Sequence, residues 1–491
     1  MLNTYILIAI TGLLAGALCA GETVQLKPHT PQILHAGPIE VKFEDGELRY
    51  IRAGGKEIVR RIYFAVRDKS WSTPAPEFSR MDLENSGDGF RIQLAAHCKS
   101  DEVDYEWTGV ITGTKEGRIV FEAEGTPNVD FKSGRIGLCT LFGIESLVGQ
   151  SFETLDDKGT VTAGSFPEFV SPGLVAKKFQ TLRYTTATGM KVSCTLEGST
   201  YDMEDQRNWG DTSCKAYAPL RYSYPTAKKG QHEHETITLE VSGVPDAKTP
   251  VADTVEIHIG KTPIEGAKIP AFTTADRAQN PIGFVDANMH RQKFADANWL
   301  TFSYTSLNHL PDDDTLMENV RGVWHQARTA KQFAPKASIR FAPITVQPGS
   351  SNPDVRNGKA IAAAWTAALI KYLSLGGVNE MAFSVGPGPV DAVIKNILPS
   401  AGKQLLETTV KPAESGIEAF AYDDAEGKAL WLINTTTEKR QIRVEETGTP
   451  DKVKIFRVLE DTAAKTEDNI ADGHVAITLA PYEVCRISLH N

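Results

Sequence analysis

"PIEVKFEDGELRYIRAGG", residues 38–55, sets the reading of the first half of the chain. Ile39, Val41 and Phe43 alternate with Glu40, Lys42 and Glu44, and Asp45-Gly46 follows. A period of two is the pattern of a half-buried strand, and Asp-Gly between two such runs is a hairpin turn. The same period returns in "GFRIQLAAHC" (89–98), "YEWTGVITG" (105–113), "GRIVFEAEG" (117–125) and "HETITLEVSG" (234–243). Convincing helical periodicity is absent from this half. Residues 33–248 are therefore expected to form a large N-terminal antiparallel β-sandwich.

The texture changes near Val251. "TVEIHIG" (254–260), "IGFVD" (282–286), "WLTFSY" (299–304), "ASIRFAPIT" (337–345) and "EMAFSV" (380–385) are short apolar strands, with helical patterns between the later ones. Leu316, Val320, Val323 and Ala327 repeat at helical spacing behind the acidic run Asp312–Asp314, which favours a helix N-terminus. Ile361, Ala364, Trp365, Ala368, Leu369, Tyr372 and Leu373 make a second face, closed by Gly376-Gly377. Strands alternating with helices imply βα units on a parallel sheet. At roughly 30 residues per unit, residues 252–408 hold about five. A complete (β/α)8 barrel needs about 200 residues or more, so a truncated barrel-like domain is expected. From residue 412 to 491 the period returns to two, as in "GIEAFAYDD" and "ALWLINTT", which implies a small C-terminal β-sandwich. The fold class is thus multidomain β plus α/β.

Residues 1–20 carry no charged side chain and end in small residues, the pattern of a signal peptide cleaved after Ala20. The expected location is secreted or periplasmic, with no membrane association after cleavage. The formal charge of −10 and the lack of any long Lys/Arg run argue against a nucleic-acid partner. Loss of Cys19 would leave Cys98, Cys139, Cys194, Cys214 and Cys485, an odd number without CxxC spacing, expected as buried thiols with room for one bridge. "HEHE" places His232 and His234 on one face of a strand, but further ligands at motif spacing are missing, so no metal is expected. The sequence lacks GxSxG, HExxH, Walker and GxGxxG motifs, and no cofactor is expected.

The densest chemistry lies in "YDMEDQRNWGDTSCKAY", residues 201–217. Glu204, Asp205 and Asp211 are candidate general bases. Arg207 could hold a carboxylate or polarise a carbonyl, and Asn208 could donate to an oxyanion. Trp209 offers a flat face to a sugar ring, and Lys215 adds positive charge. Two readings stand side by side: a ligand site, or a salt-bridged seam between domains. His309, Asp286, Asn288 and Thr345 each follow a βα-type strand, where α/β proteins carry their sites.

The stretch "HAGPIEVKFEDGELRYIRAGGKEIVRRIYFAVRD", the segments "FKSGRIGLCTLFGIESLVGQ" and "GSFPEFVSP", and the 201–217 block resemble the D-apionate lactonase family. "GFVDANMHRQKF", "TFSYTSLNHLPDDDTLMENV" and "FAPITVQPG" extend the resemblance over most of residues 33–400. It implies a β-sandwich, a (β/α)8-type barrel and a C-terminal β-sandwich, and hydrolysis of a branched-sugar lactone. It places Glu204, Asp205, Arg207, Asn208 and Trp209 on the characteristic loop, and Asp286, Asn288 and His309 at barrel-strand ends. Three departures accompany it. Only residues 261–280 lie between "TVEIHIG" and "PIGFVD", so several βα units are missing. Ser384 stands in "AFSVGPG" where a glutamate is expected of an active relative. The chain also reads as exported.

Three functions follow as expectations. The first is an exported carbohydrate-active hydrolase that opens a sugar lactone or related glycosidic substrate with water. Glu204, Asp205, Asp286 and His309 would be its catalytic residues, and Arg207, Asn208, Trp209, Asp211, Lys215 and Asn288 would bind substrate. The second is a non-catalytic relative that binds carbohydrate or serves a structural role. The third is a homodimer, which would cover the sheet edges an incomplete barrel exposes.

Overall fold

A computed structural model describes residues 23–218, 224–245, 254–273, 281–347, 354–384, 388–425, 427–445, 452–459 and 475–490. The apolar segment read as a signal peptide, residues 1–20, lies outside the described residues. Among the described residues no helix is long and apolar enough to cross a membrane.

The N-terminal half is a sandwich of a ten-stranded and a nine-stranded sheet. Strands Ile39–Glu44 and Glu47–Ala53 form the expected hairpin. Asp45 and Gly46 both have positive φ, at 46° and 79°. That pair of values gives a tight turn whose twist matches the strands. Inward-facing residues of both sheets, among them Val41, Phe43, Ile92, Phe121 and Leu239, share one core.

A carboxylate, that of Glu235, is buried against that core. Glu235 accepts a hydrogen bond from the Leu138 backbone N–H at 2.5 Å. Gly137 beside it has a φ of 129°, and a Cβ there would lie 2.3 Å from the Glu235 carboxylate. Glycine therefore makes the room the carboxyl group occupies.

The middle of the chain holds a four-stranded parallel sheet in the order Ala271–Phe272, Glu380–Phe383, Ser338–Thr345, Trp299–Thr305. Ile282 adds a single parallel bridge to Phe302 at the outer edge. The first strand lies beside the last, as in a closing barrel, and residues 274–280 are too few to hold the intervening βα units. The truncation expected from length is thus a curled half-barrel.

"TVEIHIG" was expected in this parallel sheet and is not part of it. Strand Thr254–Lys268 pairs with Gln404–Lys411 and Arg440–Glu445 inside the eight-stranded C-terminal sheet. Residues at both ends of the expected 252–408 segment thereby belong to the C-terminal layer. An isolated apolar strand does not declare its partner, and its neighbours in the fold decide.

Among the described residues five α-helices flank these sheets: α1 (Phe284–Met289), α2 (Asp313–Glu318), α3 (Gly322–Phe333), α4 (Ala360–Leu375) and α5 (Pro389–Ile397). The helix expected through Leu316–Ala327 is broken by a tight turn at Asn319–Arg321. There the Tyr304 hydroxyl donates to the Asn319 carbonyl at 2.6 Å, and Gly322 lies against the Gly210 carbonyl. α4 ends before Gly376 as expected, with Gly377 at φ 66°. It is buried all round except at Lys371 and Leu375. α4 is sandwiched between the half-barrel and the C-terminal sheet, whose Phe420, Tyr422 and Trp431 share its core.

The sandwich is tied to α2 by charge. Asp312 caps α2 through the Thr315 N–H at 2.8 Å and receives Arg49 at 2.7 Å and Arg61 at 3.3 Å. Glu318 binds Arg49 at 2.8 Å, and Lys42 reaches Asp314 at 2.8 Å.

Burial raises the Glu235 carboxyl to about 7. Its folded value lies above the unfolded 4.5, so its stabilisation is complete below pH 4.5 and is lost as pH rises through 7. Glu235→Gln is expected to remove this loss. The difference in stability between the two proteins should shift by on the order of 3 kcal/mol between pH 4 and 8, read from unfolding midpoints across that range.

Candidate active site

Strands Tyr201–Asp205 and Ser213–Tyr217 form a hairpin in which Glu204 faces Lys215 across the ladder. Between them Gln206–Trp209 makes one 3-10 turn, ended by Gly210 at φ 99°. Alternation along the strands splits the acidic block. Tyr201, Met203, Cys214 and Ala216 enter the sandwich core. Glu204, Lys215 and Tyr217 therefore point to the opposite face, toward the half-barrel.

The core-side half of the block is a seam. Asp205 and Arg207 are both fully buried and paired bidentately, at 2.9 and 2.8 Å. Asp205 also caps the 3-10 turn through the Arg207 N–H and accepts from the Ser171 N–H. The remaining Arg207 donors go to the carbonyls of Pro167 and Glu168 and to His325 Nδ1 on α3. Burial, with the Arg207 charge beside it, pushes His325 down to about 2, so its neutral ring accepts. Asn208 donates to the carbonyls of Ser171 and Asp205 and accepts from Asn288 at 2.7 Å. Asn288 is buried and also bonds Arg291. Asp205, Arg207, Asn208 and Asn288 thus differ from their expected roles. Their hydrogen-bonding groups are committed inside the protein, and a substrate would have to displace a buried ion pair to reach them.

The other half gathers on the open face. His309 Nδ1 bonds Asp211 Oδ2 at 2.7 Å, and Asn319 donates to the other Asp211 oxygen at 3.2 Å. Trp209, 37% exposed, stands edge-on to His309 with ring centroids 6.3 Å apart. Its indole N–H donates to Glu204 at 2.9 Å, and the Tyr217 hydroxyl donates to the second Glu204 oxygen at 2.8 Å. Lys215 is buried beside them, and the Arg135 guanidinium lies 3.6 Å from the centre of the Tyr217 ring. Arg67 faces Arg135 on the adjacent strand.

The electrostatics follow from this packing. Burial lowers Lys215 to about 7, assisted by the Arg135 and Arg67 charges and opposed by Glu204. Burial also lowers His309, against the pull of Asp211, so the imidazole is neutral near pH 7. Burial would raise Glu204 and Asp211, but nearby charge outweighs it. Lys215, with the Trp209 and Tyr217 hydrogen bonds, lowers Glu204, and His309 and Lys215 lower Asp211. The arrangement is a neutral imidazole oriented by an ionised carboxylate, next to a cation and an exposed aromatic face. It can accept a proton from water and stabilise a developing oxyanion.

Asp286 does not join this cluster. It is exposed on the first turn of α1, whose buried side carries Asn288 into the seam. Thr345 pairs with Thr305 within the parallel sheet. His232 and His234 lie on the sandwich surface beside Glu124 and Glu122, and among the described residues no three potential ligands gather as a metal site. All five cysteines of the described residues are buried and free. Sequence reading passed over Arg67, Arg135, Tyr217 and Asn319. The strand parity of Arg67, alternating with core residues Ile62 and Val66, was the available signal.

A two-sheet β-sandwich, a half-barrel and an eight-stranded C-terminal sheet define a three-part β and α/β architecture, with charged residues of the first facing the second. Three domain profiles of one family match in order: the D-apionate lactonase N-terminal domain at residues 20–244, its TIM barrel domain at 281–409, and its C-terminal immunoglobulin-like domain at 414–487. The chain belongs to the D-apionate lactonase family. It is 28% identical over 262 residues to the D-apionate lactonase of Brucella anthropi, which covers 52% of this chain and 43% of that protein. The chain thus spans less than half the length of that relative. Among solved structures it resembles a bifunctional glucanase-xylanase from a metagenome library, with 10% identity over 39% of this chain and 43% of that one, at a TM-score of 0.33. It also resembles an α-L-arabinofuranosidase of Thermotoga maritima, with 12% identity over 42% and 55% and a TM-score of 0.34.

The split of the block is testable by stability. Asp205→Asn leaves the Arg207 charge buried without its partner, a change that costs about 3–5 kcal/mol. Its thermal midpoint should fall by roughly 5 °C or more. Asp211→Asn is also a buried change, but its partner His309 is neutral and no charge is left without a partner, so its midpoint should fall by much less. Differential scanning calorimetry of the two variants reads the contrast.

Proposed function

We propose that this chain is a carbohydrate-active hydrolase that opens a sugar lactone with water. The observation that carries the reading is the His309–Asp211 hydrogen bond of 2.7 Å, set beside Lys215 and the exposed face of Trp209. Membership of the D-apionate lactonase family supports the substrate class. Export, read from residues 1–20, is part of the same proposal.

The sugar ring would stack on Trp209. His309 Nε2 would take a proton from water as the water oxygen bonds to the acyl carbon. Asp211 holds the ring and stabilises its charged form. Lys215 in its charged form would stabilise the tetrahedral oxyanion. As the ring C–O bond breaks, His309 returns the proton to the leaving alkoxide, and the new carboxylic acid ionises into solvent. Glu204, with both oxygens held by Trp209 and Tyr217, positions the stacking face and offsets the Lys215 charge.

Purified protein incubated with a panel of aldonolactones, apionolactone included, should release acid measurable by pH-stat. His309→Ala and Asp211→Asn should each lower kcat on the order of 10²–10⁴-fold. The active form pairs neutral His309 with charged Lys215. The rate should therefore rise as His309 loses its proton, below its ordinary 6.5, and decline as Lys215 discharges near 7. Absence of turnover across the panel would favour a carbohydrate-binding relative. Ser384, which follows strand Glu380–Phe383 and puts a hydroxyl at its C-terminal end in place of a carboxylate, is consistent with such an outcome.

A further inference from the structure

Arg67 and Arg135 are direct partners across two neighbouring strands and are only 4% and 6% exposed. Like charges opposite each other in a ladder repel, and burial removes the water that would screen them. Among the described residues neither guanidinium meets a carboxylate at ion-pair distance. Arg67 Nε and Nη2 and Arg135 Nε and Nη1 are buried without hydrogen-bond partners. Buried donors left unmade are costly, so four on two adjacent cations mark a place for an acceptor. The nearby acids are already engaged: Glu204 by Trp209 and Tyr217, Asp211 by His309 and Asn319. The Tyr217 ring under Arg135 holds one guanidinium in a set plane.

We propose that Arg67 and Arg135 form a carboxylate-binding subsite, and that its ligand is a sugar acid whose carboxylate bridges the two guanidinium groups. Paired planar forks suit a planar carboxylate. Ionised Glu204 on the same face penalises a dianion more than a monoanion, which favours carboxylate over phosphate. The proposal rests on the lactone-opening reading for its chemistry. Water adds to the acyl carbon, the ring C–O bond breaks, and the carboxylate formed is the group this subsite would hold, whether as product or on a uronate substrate.

The test is isothermal titration of the full chain at low salt with D-gluconate, D-galacturonate, neutral D-glucose and inorganic phosphate. The two sugar acids should bind, glucose should bind at least tenfold more weakly, and Arg67→Gln and Arg135→Gln should each weaken the acids about tenfold or more. Arg135→Lys, which keeps the charge and loses the fork, should fall between. Both glutamine variants should melt at or above the wild-type temperature, since they relieve like-charge repulsion, and this checks that they fold. Sugar-acid binding that survives both glutamine variants would overturn the subsite, as would no binding by any anion. Phosphate binding as tight as gluconate would overturn the sugar-acid assignment. His309→Ala separates the two proposals, because it should abolish hydrolysis and leave acid binding intact. Acid binding in a protein that hydrolyses no lactone would uphold the subsite and sink the lactonase reading. Turnover without acid binding would do the reverse.

Discussion

The Asp205–Arg207 ion pair is the constraint on which the rest of the assembly depends. Two opposite charges lie fully buried where the sandwich meets the half-barrel, and Arg207 extends the contact to three carbonyls and to α3. Such a pair gives little net stability against an apolar replacement, but it tolerates no other geometry. It fixes the direction in which the 3-10 turn leaves the strand. That direction sets where Trp209, Asp211 and Lys215 point. A loosened pair would move the open-face residues relative to His309, which is carried by a different domain.

The half-barrel shows how a reduced fold is kept closed from its environment. Among the described residues it has four strands and one bridging residue, yet its longest helix, α4, is not left exposed. α4 is buried on all sides because the C-terminal sheet covers the side that would otherwise face solvent. Glu418 of that sheet binds Lys371, Tyr372 and Arg321 at the same junction. The sandwich closes the other side through Arg49, Arg61 and Lys42 against Asp312, Asp314 and Glu318. Neighbouring domains supply surfaces that missing βα units would supply in a full barrel.

Charge on the sandwich face is graded along the sheet. At one end Arg49, Arg60 and Arg61 form ion pairs with acids of α2 and of the sandwich itself. At the other end Arg67, Arg135 and Lys215 stand together, with Glu204 the adjoining acid. The same residue types thus serve cohesion at one end and leave an excess of buried positive charge at the other. This contrast within one sheet makes a ligand-binding reading of the second end physically coherent.

Much of this was legible in the chain. The alternating strands of residues 33–248, the Asp45-Gly46 turn, the shortfall in barrel length and the end of α4 at Gly376 follow from local pattern, because backbone geometry and burial period act over a few residues. The parity of Glu204 against Asp205 was also present in the sequence, since adjacent strand residues must face opposite ways. The sequence alone could not assign which face met the core and which met another domain. Strand Thr254–Lys268 looked like a barrel strand and became part of the C-terminal sheet, because its partners lie far along the chain and edge pairing is chosen by the whole fold. His309 and Asp211, separated by 98 positions, became a hydrogen-bonded pair only through the docking of two domains. Residue type determined what chemistry was available, and tertiary structure decided which groups were consumed in holding the protein together and which remained free to act.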